Sequence, residues 1–293
     1  MALSAFGGNG ADRIVQCPAR IHHLFHSQEL IMRNTRSKDM RITILGSGTC
    51  ALSLRRSTCA VLLECGQEKL LFDCGAGTMR RLLEAGVSVH EISFVFLSHF
   101  HPDHSGELAS FLFSNKYPDG SLRKKKLTLA GGKGVADFFR RLADAYGTWI
   151  ELDPDLFRIV EMSTEHPEQR EFDAFLLRTA PVAHNPESIA FRVESPGGCS
   201  LVYSGDTDVC ENLVTLARNA DIMICECSLP DAIKVSGHLT PSLAGQMASR
   251  AGVKKLVLTH FYPQCDDADI VSECRKTYAG SLVLAEDLMR IPI

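Results

Sequence analysis

The chain carries a single tryptophan, and aromatic residues make up only 7% of its 293 positions. One indole offers no stacking platform for a single-stranded nucleic acid, and aliphatic side chains are expected to fill the core. Positive charge is not in excess either: 31 Lys and Arg stand against 35 Asp and Glu, a formal net charge of -4. A general electrostatic binder of nucleic acid would be basic over the whole domain. Long apolar runs are lacking. The longest stretch free of Asp, Glu, Lys and Arg is the fifteen residues 235–249, which include Ser, His, Thr, Gly and Gln. A bilayer span takes roughly twenty mostly apolar residues, so neither a transmembrane helix nor a membrane partner is expected. The first ten residues hold no positive charge ahead of an apolar run, so no secretory leader is expected. None of the eleven cysteines forms a CxxC pair, which excludes a zinc ribbon. An odd number cannot pair completely, and positions such as Cys59, Cys65, Cys225 and Cys227 lie in apolar runs, the pattern of buried thiols in a reducing cytoplasm. Cys225-Glu226-Cys227 is accordingly read as packing at a strand end.

What is present is an apolar fraction of 45%, enough for one large α/β domain. Residues 1–39 are poor in periodicity, with Gly7-Gly8-Asn9-Gly10 and a His-rich piece at His22, His23 and His26. They read as a flexible or start-site extension, and the domain as starting at Met40. From there short apolar runs alternate with helical patterns. Strands are expected at 42–45, 59–64, 69–73, 92–97, 127–130, 157–162, 174–180, 188–193, 200–203, 221–225, 255–259 and 281–285. Helices are expected at 77–85, 103–114, 135–146, 211–219, 241–251 and 268–278. With no linker or repeat, this is one layered α/β domain over 40–293.

Chemistry concentrates in Ser98-His99-Phe100-His101-Pro102-Asp103-His104, directly after a buried strand. His99 and His101, two apart on extended backbone, project to the same side. Pro102 starts a helix and turns Asp103 and His104 toward a neighbouring point. Four metal-binding side chain types aimed at two adjacent positions suit a dinuclear site with metals about 3.5–4 Å apart. His184, Asp206 and His260 repeat one context, a strand end followed by a loop, and strand ends on one edge of a sheet are where α/β folds build sites.

Together these residues resemble the metallo-β-lactamase superfamily: HxHxDH at 99–104, a lone His184, Gly205-Asp206-Thr207 and Thr259-His260 in the family's order. Phe72-Asp73-Cys74-Gly75 resembles its first motif, with Asp73 orienting ligands from behind. The resemblance implies an αββα sandwich, two central sheets flanked by helices. It implies one zinc on His99, His101 and His184, a second on Asp103, His104 and His260, and Asp206 bridging both. Manganese or iron could replace zinc, and a water shared by the metals would be acidified toward hydroxide at neutral pH. Lactam-cleaving members carry Cys at the Asp206 position and flavodiiron relatives carry Glu at His101, so neither type is expected.

Glu226 and His238 resemble the pair that ribonuclease Z-like phosphodiesterases place beside the metals. With Asp103 they are the expected catalytic groups, since a carboxylate that raises the basicity of a histidine makes a proton donor for a departing alkoxide. For His238 the alternative is a helix-entry role ahead of Pro241, with Thr240 as the cap. Only 22 positions separate His184 from Asp206, leaving no room for the tRNA-gripping arm of bacterial enzymes. Pro102-Asp103-His104 and Glu107-Leu108-Ala109-Ser110 replace the usual Gly-Asp-His and Gly-Leu-Pro-Gly, and Cys227-Ser228 an Ala-Thr. The resemblance is thus to a short, armless phosphodiesterase acting on RNA or on a cyclic or small nucleotide, and a homodimer is left open. The basic run 116–126, with Lys124 and Lys125, either meets phosphates or solvates a turn, and Asn185 either contacts substrate or caps a turn. A lactone, thioester or other acyl hydrolase on the same ligands is the alternative activity, and a non-catalytic binding protein is disfavoured because no ligand is missing.

Overall fold

The computed structural model describes residues 40–117 and 123–293; the expected extension at 1–39, with its three histidines, lies outside the described residues. Two seven-stranded sheets stack face to face. The first contains β1 (Met40–Gly46), β2 (Ala60–Cys65), β3 (Glu68–Phe72), β4 (Phe94–Leu97), β5 (Leu127–Gly132) and β6 (Phe157–Met162) in sequence order, with β14 (Arg290–Pro292) beside β1. The second contains β7 (Glu168–Phe172), β8 (Phe175–Pro181), β9 (Ile189–Glu194), β10 (Ser200–Tyr203), β11 (Ile222–Glu226), β12 (Lys255–Thr259) and β13 (Ser281–Leu284), also in sequence order. Strands β3 to β6 and β10 to β13 run parallel, and the remaining pairs are antiparallel.

Helices cover the outer faces. On the first sheet, α1 (Thr78–Glu84), α3 (Leu108–Lys116) and α4 (Val135–Tyr146) bury Leu82, Leu108, Leu112 and Val135 against Leu62, Leu71, Val95 and Leu129. On the second, α5 (Glu211–Leu216), α6 (Pro241–Ala251) and α7 (Ile270–Arg275) supply Leu213, Met247, Ala248 and Ile270 to the main core. The architecture is an αββα sandwich. The few aromatics do not leave the core to aliphatic residues as expected: they gather between the sheets. Phe72, Phe94, Phe96, Phe191 and Tyr203 form a chain of ring contacts with centroids 5.2–5.6 Å apart. Period-two alternation explains this, because Phe94 and Phe96, like Leu70 and Phe72, face the facing sheet together.

Three elements differ from the sequence-based expectation. The helix anticipated over 103–114 is two, α2 (Pro102–Ser105) and α3. Between them Glu107 gives its amide to Cys74 O (2.9 Å) instead of continuing the helix, and its side chain accepts from the free Met79 amide at the start of α1 (2.8 Å). Strand β7, a charged edge strand of sequence EQREF, lacks the apolar alternation that flags a strand and forms through pairing with β8. Short β14 likewise forms only by pairing with β1. Among the described residues no helix is long and apolar enough to cross a membrane.

Candidate metal centre

Antiparallel β9 sets β8 and β10 in the same direction, so β3, β4, β8, β10, β11 and β12 all end at one edge of the sandwich. Asp73, His99, His184, Asp206, Glu226 and His260 sit at or just beyond those ends. Four clusters of ligand atoms, each within 4.8 Å of one another, result: His99, His101, His184 and Asp206; Asp103, His104 and His260; Asp206, His238 and His260; and Cys59, Asp73 and His104. All seven residues anticipated as ligands are thereby brought together. Asp73 (φ 59°) and His260 (φ 62°) adopt left-handed backbone, strain of the kind found at functional sites. Gly205 makes room for the approach: a Cβ there would stand 2.5 Å from that of Ser98.

The hydrogen bonds decide which nitrogen of each imidazole faces the cluster. The buried Asp73 carboxylate accepts from Ser98 N (2.7 Å), Ser98 Oγ (2.9 Å), Tyr203 Oη (2.6 Å) and His104 Nδ1 (2.7 Å). A carboxylate only accepts, so His104 donates from Nδ1 and turns Nε2 toward the cluster. Ser98 Oγ spends its proton on Asp73 and therefore accepts from His99 Nδ1 at 3.0 Å. Ser228 Oγ donates to Glu226 Oε2 (2.7 Å) and accepts from His260 Nδ1 (2.9 Å). Gly237 O accepts from His184 Nδ1 at 3.0 Å. Four histidines thus turn their Nε2 atoms inward.

The consequence is a set of groups that fit a cation. His104 Nε2 and His260 Nε2 face each other at 3.1 Å, with Asp206 Oδ1 3.2 and 3.3 Å from them. Among the described residues His99 Nε2 is buried without a hydrogen-bond partner, which costs several kcal/mol if nothing binds there. Burial holds the pKa of His99 down to about 2, so this imidazole stays neutral and ready to ligate. Residues and geometry fit a metal site. Cys225 and Cys227, by contrast, are buried with their thiol pKa values pushed up by desolvation, which disfavours thiolate ligation.

Beside the cluster, Glu226 accepts from His238 Nδ1 at 3.0 Å through Oε1 and from Leu239 N at 3.1 Å through Oε2. Thr240 occupies the cap position of α6, yet its side chain makes no capping bond; Asp231 accepts from Ser242 N (3.0 Å) instead. Asn185 closes a turn with Ser188, whose amide donates to Asn185 O at 2.9 Å. Its side-chain amide lies 3.0 Å from His101 Nε2, and a His101 that turns Nδ1 toward the cluster requires the amide oxygen there. Lys125 is not brought to the site: it pairs with Glu68 (2.9 Å) and Gln67 O (2.7 Å) at the opposite end of β3 from Asp73. Lys124 is exposed on the same turn, and Arg123 is buried there, donating to Asn115, Ile92 O and Val89 O. The sequence reading missed Ser98, Tyr203 and Ser228. Ser98, next to His99, and Ser228, two past Glu226, were findable from adjacency; Tyr203 arrives from the other sheet and carried no local signal.

A family model described as "Anti-Pycsar protein Apyc1" matches residues 40–274. The chain belongs to this Apyc1 family. An uncharacterized protein of Mycobacterium tuberculosis is 32% identical over 249 residues, covering 82% of this chain and 88% of the relative. A ribonuclease Z of Methanosarcina acetivorans is 28% identical over 303 residues, 87% of this chain and 98% of that one. Human tRNase Z, short form, superposes with a TM-score of 0.70 at 28% identity, covering 86% of this chain and 98% of that chain. The metallo-β-lactamase fold protein YhfI of Bacillus subtilis gives a TM-score of 0.75 at 21% identity, covering 87% of this chain and all of YhfI, a likeness of fold. This Apyc1-family chain thus has the metallo-β-lactamase fold in its short ribonuclease Z-like form, a metallo-hydrolase scaffold with a His/Asp site compatible with metal.

Proposed function

We propose that this chain is a zinc-dependent phosphodiesterase acting on small or cyclic nucleotides or short RNA. The observation that carries the reading is the Glu226–His238 pair, hydrogen-bonded at 3.0 Å and set against the His/Asp cluster, with His184 and His260 ring centroids 5.0 and 5.8 Å from that of His238. His99, His101 and His184 would hold one ion, Asp103, His104 and His260 another, with Asp206 between them. Such ions acidify water and polarise a phosphoryl oxygen when bound. The chain supplies the rest. Glu226 accepts a hydrogen bond from His238 Nδ1–H, which leaves Nε2 to carry the second proton of the imidazolium to the departing alkoxide, a group that leaves poorly unless protonated. Burial alone would lower the pKa of His238, but the hydrogen bond and charge of Glu226 outweigh it and raise the pKa, so the donor form persists toward neutral pH. An acyl hydrolase has no need of this pair.

Small substrates are favoured over tRNA by what stands between His184 and Asp206: β9, β10 and the turn 195–199 that joins them. No arm projects there. The test is a parallel screen of the zinc-loaded protein against cyclic nucleotides, dinucleotides, pre-tRNA and acyl esters. Turnover of cyclic or short diesters without pre-tRNA processing is the expected result. Acyl ester cleavage with no phosphodiester turnover would overturn the reading.

A further inference from the structure

Three consecutive residues after β10 serve three different partners. Asp206 enters the cluster, and Thr207 donates its amide to Glu226 Oε1 at 2.8 Å. Asp208, outside every motif read from the sequence, turns to the loop that carries His238. Its amide donates to Ala183 O at 2.8 Å, just before His184. Its Oδ2 accepts from Gly237 N at 3.0 Å and from Lys234 Nζ at 2.8 Å. Gly237 then offers its carbonyl to His184 Nδ1 at 3.0 Å, and His238 follows it in the chain. Gly237 has φ +84°, and a Cβ there would stand 3.1 Å from His184 Nδ1, so a side chain would be both strained and crowded. The segment around it has little apolar anchorage: Ile233 and Val235 are 46% and 45% exposed. Polar tethers therefore hold it.

We propose that Asp208 is a positioning residue: through the backbone of Gly237 it holds the imidazoles of His184 and His238 in register, so one hydrogen bond governs metal ligation by the first and proton delivery by the second. The His238 half rests on the phosphodiesterase reading; the His184 half needs only that the cluster binds metal. Without the Asp208 oxygen, Gly237 loses the acceptor for its N–H, the dihedrals of this glycine are no longer held, and the carbonyl that fixes the His184 tautomer on the next peptide can shift.

Full-length Asp208→Ala, Asp208→Asn and Lys234→Met proteins separate the tether from the ion pair. Asn keeps an oxygen for Gly237 N–H but no charge for Lys234; Met removes the same ion pair from the other side. Zinc affinity, read by competition with a chromophoric chelator, is expected to fall about 10- to 100-fold in Asp208→Ala. The rate on an unactivated dinucleotide is expected to fall about tenfold more than the rate on bis(p-nitrophenyl) phosphate, whose leaving group needs no proton. Asp208→Asn should recover most of both losses, and Lys234→Met should stay within about fivefold of wild type, the reach of an exposed ion pair. Melting curves identify any variant that fails to fold, in which case Asp208→Asn against wild type carries the comparison. Wild-type zinc affinity and an unchanged rate ratio in Asp208→Ala, or Asp208→Asn as damaged as Asp208→Ala, would overturn the proposal. A wild-type protein that binds zinc but cleaves no phosphodiester defeats the functional reading alone; the zinc affinities of the two Asp208 variants then decide the tether.

Discussion

His99 illustrates what a single residue contributes: fully buried, hydrogen-bonded through Nδ1 to Ser98 and unpartnered at Nε2, it is a poor component of a metal-free protein. Two metal ions per chain are therefore expected by elemental analysis of the active protein. His101→Ala should retain little hydrolysis and lose metal, since removal of a ligand changes both charge and geometry; one ion or none in an active preparation would refute the dinuclear arrangement. For the proton donor, His238→Ala should slow a diester with a poor leaving group by roughly 10²- to 10⁴-fold and leave an activated one nearly untouched. Equal slowing of both would make His238 a substrate contact instead. The pH profile follows from the raised pKa of His238. A raised pKa keeps the protonated donor present at low pH and loses it as pH rises through the folded value, so activity on poor leaving groups should show an alkaline limb. Glu226→Gln removes the cause of the raising, and the limb should move to lower pH; a limb that does not move would separate Glu226 from the proton transfer.

At the scale of elements, the site is held by groups from both sheets meeting at Asp73. Its carboxylate takes Ser98 from the end of β4, His104 from α2 and Tyr203 from β10, and Tyr203 is packed on Phe72 at 5.5 Å. The aromatic layer between the sheets therefore supports the His/Asp cluster as well as the fold. Phe96, fully buried and in contact with Phe72, Phe94 and Phe191, is the test. Phe96→Ala should destabilise the protein by about 3–5 kcal/mol in urea unfolding; a loss under 1 kcal/mol, roughly the worth of a minor repacking, would show that the layer is not the core.

For the molecule as a whole, metal binding at the His/Asp cluster would be linked to stability. Ions that bind only the folded chain add about 2.7 kcal/mol at a hundredfold excess over the dissociation constant, so a chelator should lower the melting temperature substantially, and zinc should restore it. A second expectation concerns residues 1–39, whose sequence offers no apolar stripe. A chain beginning at Met40, the first residue of β1, should fold and retain activity. Insoluble or inactive truncated protein would show that the segment contributes to the domain.

Local physics made the candidate cluster at 99–104 and most elements legible in the sequence. His99 and His101 share a side because extended backbone has a period of two, Asp103 and His104 turn because Pro102 opens a helix, and continuous apolar runs such as 92–97 announce buried strands. Those relations depend only on neighbours in the chain. Tertiary structure alone decided the rest. The aromatics moved to the sheet interface, one helix became two because Glu107 bonds Cys74 and Met79, and Lys125 paired with Glu68 far from the site. Tyr203, Ser228 and Asp208 acquired their roles by contact with residues 130, 32 and 29 positions away. A hydrogen bond is specified by the position and direction of two groups, and for groups so distant in sequence only the folded sheets supply both.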